Sequence, residues 1–300
     1  MNMKLDTFYN GKKILVTGGC GFIGSSIVEQ LVAHGAAVTI LDNLSTGFIS
    51  NIAAVRDRVT LIEGDITDPA TCKLAVHDNE IIFHLAAFIS VPESIANPIA
   101  CYKTNIDGTM NVLEAARTCG ARRIILSSSA AVYGLHEGVC SENTPCAPTS
   151  PYGYAKLIDE LLLEQYSKNY GLETVMLRYF NVYGPRQNPN GSYAAAVAKF
   201  NHQMINNKPI TLFGDGMQTR DFVPVERVAN ANLIMGMLDK EKVNTQRFNV
   251  GTGNSVTLLE LVEMLKKDHP AYREAIIFAP ARAGDVKVSA ADCSKFNNLN

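Results

Sequence analysis

The sequence predicts an α/β fold, a doubly wound parallel sheet followed by a smaller C-terminal lobe. Short apolar, β-branched runs alternate with helical segments across residues 12–179. The runs are continuous rather than alternating, as expected of parallel strands covered on both faces. After Tyr179 the texture changes, and residues 181–192 are rich in Asn, Pro and Gly, which reads as a long loop. We divide the chain there, with 1–180 as the sheet domain and 181–300 as the lobe. At 300 residues and 47% apolar content, the chain can bury a core of that size.

Predicted strands lie at residues 14–17, 38–41, 59–62, 81–85, 124–127 and 174–177, separated by segments long enough for crossover helices. In the lobe, helices are expected at 193–206, 225–238 and 258–267, and short strands at 210–213, 248–250 and 276–278. The formal charge is -2 with no long run of one sign, which argues against nucleic acid or a membrane surface as partner. No apolar stretch reaches the ~18 residues of a spanning helix. The first residues lack the basic start and apolar block of a signal peptide, so a cytoplasmic location is expected. The seven cysteines are scattered without a C-x-x-C pair and read as free thiols in a reducing compartment. The six histidines show no ligand spacing, and no metal is expected.

The first predicted strand runs into Gly18-Gly19-Cys20-Gly21-Phe22-Ile23-Gly24. Glycines at 18, 21 and 24 permit a tight strand-to-helix turn and a close approach of backbone to a pyrophosphate, with the helix N-terminus facing the anion. Asp42 closes the second strand, 18 residues after Gly24, near the ~20-residue offset of a ribose-binding acid. Its carboxylate suits a ribose 2′-hydroxyl and repels a 2′-phosphate. Residues 43–52 hold no Arg or Lys to welcome such a phosphate, so NAD is favoured over NADP. Asp65, after the third strand, reads equally as an acceptor for the adenine amino group and as a turn-forming Asp.

Tyr152 and Lys156 stand in Y-x-x-x-K spacing, one turn apart if they open a helix. The pattern gains meaning from following the fifth strand, whose end carries Ser127-Ser128-Ser129. Strand ends of a doubly wound sheet face the ligand crevice. A phenol is a poor base at neutral pH, but a cation about 4 Å away stabilises its anion by about 4 kcal/mol at an effective dielectric of 20.

These motifs occur in one order with His84-Leu85-Ala86-Ala87, Asn105-x-x-Gly-Thr-x-Asn-Val, the SSSAAVYG segment from Ser127 to Gly134, and Arg178-Tyr179-Phe180-Asn181. Together they resemble the extended short-chain dehydrogenase/reductase family, most closely its UDP-hexose 4-epimerase branch. The resemblance spans residues 12–295. It implies a Rossmann-type NAD-binding domain, a UDP-sugar substrate and a homodimer in which the helix from Tyr152 and the 94–119 helix pair across a two-fold axis. It makes Ser129 the catalytic hydroxyl, Tyr152 the base and Lys156 its partner. By the same resemblance the NAD site extends over Phe22, Ile23, Asn43, Ser45, Thr46, Gly47, Ile66, Leu85, Ala86, Ala87, Asn105 and Tyr179, with Tyr152 and Lys156. The sugar nucleotide is expected at Ser90, Val91, Ser129, Tyr152, Asn181, Ala194, Lys199, Arg220, Arg282, Asp285 and Ser289.

The resemblance implies inversion at C4 through a 4-keto sugar, with NAD held tightly through the cycle. Similar 4,6-dehydratases carry an Asp-Glu pair after the hydroxyl residue, where this chain has Ala130 and Ala131, so dehydration is disfavoured. A glucuronate substrate needs a cation that residues 88–93 do not supply. A non-catalytic NAD-binding regulator is the alternative of another class, and the intact Ser129, Tyr152 and Lys156 set argues against it. Ser289 stands where a bulky residue in similar epimerases excludes an N-acetyl group, and residues 189–195 look like the branch that handles UDP-N-acetylglucosamine. Similar proteins continue beyond the segment 291–295 with a closing helix, so an end at Asn300 is expected to weaken the lobe.

Overall fold

The computed structural model describes residues 2–188, 196–281 and 286–299. A first helix α1 (Asn2–Tyr9) leads into β1 (Lys13–Thr17), α2 (Phe22–Ala33), β2 (Ala37–Asp42), β3 (Val59–Glu63), α3 (Pro69–Val76) and β4 (Ile81–His84). Three helices follow, α4 (Val91–Ala96), α5 (Pro98–Tyr102) and α6 (Gly108–Cys119), then β5 (Arg123–Ser129), the short β6 (Val139–Cys140), α7 (Pro151–Tyr170) and β7 (Glu173–Tyr179). The rest comprises β8 (Asn181–Tyr183), α8 (Ala196–Ile205), β9 (Ile210–Phe213), β10 (Thr219–Arg220), β11 (Phe222–Pro224), α9 (Val225–Met237), α10 (Lys240–Val243) and β12 (Gln246–Val250). It ends with β13 (Val256–Thr257), α11 (Leu258–Asp268), β14 (Ile276–Ala279), β15 (Val288–Ala291) and α12 (Ser294–Asn297).

Seven parallel strands form the main sheet in the order β12-β7-β5-β4-β1-β2-β3. The chain reverses direction across the sheet between β3 and β4, which opens a ligand crevice at the carboxyl ends of β1 and β4. One face buries Ile14, Val16, Ile40, Phe83 and Leu177 with residues of α1, α2 and α9. The other buries Leu15, Leu41, Ile82, Leu126 and Met176 with residues of α3, α6 and α7. Adjacent strand residues therefore point to opposite apolar layers, the reason these runs read as continuous rather than alternating.

Two segments expected in the lobe return to the sheet. The strand Gln246–Val250 pairs in parallel with β7 as an edge of the main sheet, and α9 packs beside α2. The lobe proper is built on a separate core of Val197, Phe200, Ile210, Leu212, Leu261 and Val262. Its strands form a four-stranded set, β13-β10-β15-β6, and two pairs, β11-β8 and β14-β9. The expected helix 94–119 is three helices. Pro98 opens α5 after the Asn97 cap, and a π-type turn over Lys103–Asp107 separates α5 from α6. The first helix carries no clear signal in the sequence, although Leu5, Phe8 and Tyr9 share one face. Tyr9 Oη donates to Leu233 O at 2.6 Å and ties that helix to α9.

Candidate active site

The glycine turn is held too tightly for side chains. Gly18 has φ +69°, and a Cβ there would stand 2.8 Å from Ala86 N. A Cβ on Gly24 would fall 2.0 Å from Gly18 O. The loop after β1 is thus pressed against the loop after β4 and against the first turn of α2. No side chain among the described residues caps the start of α2, which leaves its first N–H groups facing the crevice as a pyrophosphate cradle. Phe22 and Ile23 occupy that turn and pack on the core beneath it.

Asp42 is buried at the end of β2 and organises the rim. Its Oδ2 accepts from Cys20 N and its Oδ1 from Leu44 N, both at 2.8 Å. A carboxylate has about four acceptor positions, so it retains capacity for a ribose hydroxyl. Asn43 donates to Asp65 Oδ2 at 2.7 Å and accepts from Ser45 N and Ser45 Oγ, joining the ends of β2 and β3. Thr46 follows on this rim, and Gly47 lies against Cys20, where a Cβ would stand 2.8 Å from its carbonyl carbon. Burial acts to raise the Asp65 carboxyl, but hydrogen bonds from Thr67 and Asn43 and the charge of Lys103 outweigh it and hold the group below its ordinary range. These residues fit a dinucleotide: a glycine cradle, an open helix start and an acid at the end of β2.

Asn105 and Ile66 reach the crevice through their surroundings. Asn105 donates to Phe88 O at 3.0 Å and accepts from Phe88 N at 2.7 Å, clamping the loop that carries Leu85, Ala86 and Ala87. Ile66 is buried, with its side chain against Gly108. The Tyr179 ring is in the core and its hydroxyl pairs with Asn232, so what it can offer a cofactor is backbone at the end of β7. Ser90 caps α4, accepting from Glu93 N at 3.3 Å, and Val91 opens that helix.

At the catalytic end, Ser150 caps α7 by accepting from Gly153 N, and Pro151 takes the first helical position. That start puts Tyr152 and Lys156 one turn apart. Ser94 Oγ accepts from Tyr152 N at 3.2 Å and fastens the turn to α4. Gly153 packs on the turn after Ser129, for a Cβ there would stand 2.8 Å from Ala131 O. Ser129 Oγ accepts from Ala131 N at 3.1 Å. Ser129 and the start of α7 are therefore neighbours at the carboxyl end of β5. Lys156 is 3% exposed.

Several supporting roles were not legible in the motifs. Glu160, wholly buried, accepts from Ser128 Oγ at 2.6 Å, Arg178 Nε at 2.8 Å and Arg247 Nε at 3.0 Å. It locks α7 to β5, β7 and β12 directly behind Ser129. His84 is enclosed between Thr17 Oγ1, 2.8 Å from Nδ1, and Thr109 Oγ1, 3.0 Å from Nε2. Burial, helped by the Lys156 charge, pushes its pKa down to about 3 and keeps the ring neutral. Glu160 is marked in the sequence only by its position one turn past Lys156, and His84 heads the His84-Leu85-Ala86-Ala87 motif, which does not show what its ring does.

On the lobe side, Arg220 and Ser289 are direct neighbours on parallel strands. Arg220 Nη1 donates to Val286 O and Thr219 O. Asn181 Nδ2 donates to Asp221 O at 3.2 Å. Asp221, also unread in the sequence, is buried and accepts from Thr252 N, Thr252 Oγ1 and Gly253 N, tying the lobe to the loop after β12. Lys199 lies half-buried on α8. Ala194, Arg282 and Asp285 lie outside the described residues. Among the described residues no group of His, Cys, Asp or Glu side chains is arranged to hold a metal, and no helix is long and apolar enough to cross a membrane.

Residues 14–251 match the model of the NAD dependent epimerase/dehydratase family. The chain is 38% identical to the UDP-glucose 4-epimerase of Mycolicibacterium smegmatis, covering 93% of this chain and 90% of that one. Among solved structures it resembles a UDP-N-acetylglucosamine 4-epimerase from Methanobrevibacter ruminantium in complex with UDP-N-acetylmuramic acid, with TM-score 0.90, 38% identity, and coverage of 96% and 91% of the two chains. It also resembles the Thermus thermophilus UDP-glucose 4-epimerase in complex with NAD, with TM-score 0.87, 35% identity, and coverage of 95% and 92%. The family match and these relatives show that the chain belongs to the NAD-dependent epimerase/dehydratase family, within it to the UDP-hexose 4-epimerase branch of the extended short-chain dehydrogenases/reductases, and that its cofactor is NAD.

Proposed function

We propose that this enzyme inverts C4 of a UDP-hexose and accepts the UDP-GlcNAc/UDP-GalNAc pair as well as UDP-Glc/UDP-Gal. The observation that carries the reading is the junction at the end of β5, where Ser129 and the Tyr152–Lys156 turn of α7 meet and Ala130 and Ala131 follow the hydroxyl residue. Tyr152 takes the proton from the sugar 4-hydroxyl, and Ser129 hydrogen-bonds the same oxygen. Lys156 supplies the positive charge that makes a phenolate usable as a base. The chemistry that bound NAD supplies is reversible hydride acceptance at C4. Between the two halves of the cycle the 4-keto sugar turns about its diphosphate link and presents the opposite face of C4, and Tyr152 then returns the proton to the same oxygen.

Arg220 faces the diphosphate in this reading, with Arg282, since guanidinium–phosphate pairs fix charge and orientation together. Asn181, Lys199, Ala194 and Asp285 line the nucleotide and sugar, and Ser289 leaves space for an N-acetyl group. The protein works as a cytoplasmic homodimer, a reading supported by seven free cysteines and by apolar side chains left exposed on α4, α5 and α7. The test incubates the purified enzyme with each of the four UDP-sugars and follows product identity. Both pairs interconvert, and Tyr152→Phe lowers kcat by about 100-fold or more. Turnover of the plain pair alone removes the Ser289 argument, and full activity in Tyr152→Phe removes the mechanism.

A further inference from the structure

Lys156 has a buried neighbour that the reaction as described leaves without a part. Asp159 lies one turn further along α7, with no exposed surface, and its Oδ2 stands 3.6 Å from Lys156 Nζ. Neither carboxylate oxygen has a close hydrogen bond among the described residues. A carboxylate enclosed in this way keeps its charge only beside a cation, and Lys156 is that cation. The same ammonium is the one Tyr152 requires in the proposed mechanism. One positive charge therefore serves two anions.

We propose that Asp159 is a positioning residue that anchors the Lys156 ammonium and competes with Tyr152 for its charge, so that the acid limb of the proton-transfer step lies at higher pH and spans more than the single-proton width of one isolated base. This rests on Tyr152 acting as the base. Burial pushes the Asp159 carboxyl up to about 7, while Lys156 and the Thr109 hydroxyl pull it down and Glu160 pushes it up. The surrounding groups are accounted for. Glu160 is neutralised by Arg178 of β7 and Arg247 of β12. His84 of β4 is held uncharged, and burial raises the Cys101 thiol of α5. Tyr133, in the turn after β5, is bonded to Asn249 and Arg178. Glu93, Lys103 and Asp107, on α4 and the turn before α6, are exposed to solvent.

As pH falls through about 7, Asp159 takes up a proton and the Lys156 charge is left to Tyr152. Loss of the base is then spread over a broader span of pH than beside a fixed charge. Two coupled acids titrate over a broader span than one. In Asp159→Asn the amide is neutral at every pH, so the acid limb becomes that of a single proton and moves to lower pH.

The experiment uses the NAD-loaded enzyme and two readouts against pH: kcat/KM for UDP-sugar turnover, and the part of the tyrosinate absorbance that Tyr152→Phe abolishes. In Asp159→Asn both midpoints fall by about one pH unit, the size expected of removing one charge several ångströms away at an effective dielectric near 20, and Asp159→Glu restores the parent position. Coincident midpoints in the parent and Asp159→Asn overturn the proposal. The parent alone gives a second test that needs no folded variant, since an acid limb that follows a single-proton curve also overturns it. Failure of the parent to turn over any UDP-sugar, with the absorbance midpoint still shifted by Asp159→Asn, removes the epimerase reading and leaves the charge competition standing.

Discussion

Burial acts on His84 and Asp159 in opposite directions, and the two work against each other in stability. His84 titrates at about 3 in the folded chain, against about 6.5 when unfolded. The unfolded chain therefore binds this proton first, and stability falls as pH drops below about 6.5. Asp159 titrates at about 7 when folded, against about 3.9 unfolded. Here the folded chain binds the proton first, so its contribution is complete below about pH 4 and is lost as pH rises through 7. Between those limits the slopes oppose. Asp159→Asn removes one of them, and its Tm should fall about 5 °C further than the parent's on going from pH 6.5 to 4.5. Scanning calorimetry at several pH values checks this, and parallel curves for the two proteins would contradict it. The charge state of neither residue is legible in the sequence. Gly18, Gly24, Asp42, Tyr152 and Lys156 were legible because their chemistry needs fixed spacing along one segment. His84 owes its state to Thr17 and Thr109, 67 and 25 positions away, and no local pattern records that.

The elements of the sheet were legible because strands covered on both faces must be apolar throughout. What joins them was not. Arg123 follows Arg122 at the start of β5. It is fully buried, and its Nη1 donates to the carbonyls of Met235, Gly236 and Leu238, closing the C-terminus of α9 from 112–115 residues away. The edge strand β12 reads in the sequence as part of the lobe, since a parallel strand's partner lies far off along the chain. Glu160 is the strongest of these ties. It joins α7 to three strands, and Arg178, itself 2% exposed, has its positive charge reinforced by that carboxylate against the cost of burial. Glu160→Gln keeps the shape but leaves two arginines facing a neutral amide. We expect a loss of about 3–5 kcal/mol in unfolding free energy, the range found on breaking a buried ion pair, together with reduced kcat as Ser128 and the strand end beside Ser129 loosen. Urea unfolding of the NAD-loaded protein measures the first and steady-state turnover the second. A change below about 1 kcal/mol would mean that the network is replaceable.

At the level of the whole molecule, the apolar surface is unevenly placed. Ile95, Ile99 and Leu161 are 62%, 78% and 54% exposed and lie on α4, α5 and α7, helices that pack against one another on one side of the sheet. Tyr154, on α7, and Met110, on α6, are also exposed. Scattered single apolar residues need no explanation, but a group on adjoining helices marks a contact surface. Because α4 and α7 also hold Tyr152 through the Ser94 hydroxyl, a partner on this face would stiffen the catalytic turn from outside. A second copy related by a two-fold axis is the proposed occupant, and a self-complementary patch of this kind closes as a dimer without leaving an open end. Ile99→Glu places a charge at its most exposed apolar point. The parent should sediment as a dimer at micromolar concentration, and Ile99→Glu should weaken association at least about 30-fold, the equivalent of roughly 2 kcal/mol at a central contact. NAD content should be unchanged in the variant, because the cofactor crevice lies at the strand ends. Sedimentation velocity across a concentration series decides the matter: a parent that remains monomeric at about 100 μM, where a standard-sized interface would already be formed, would mean that these side chains serve some other contact.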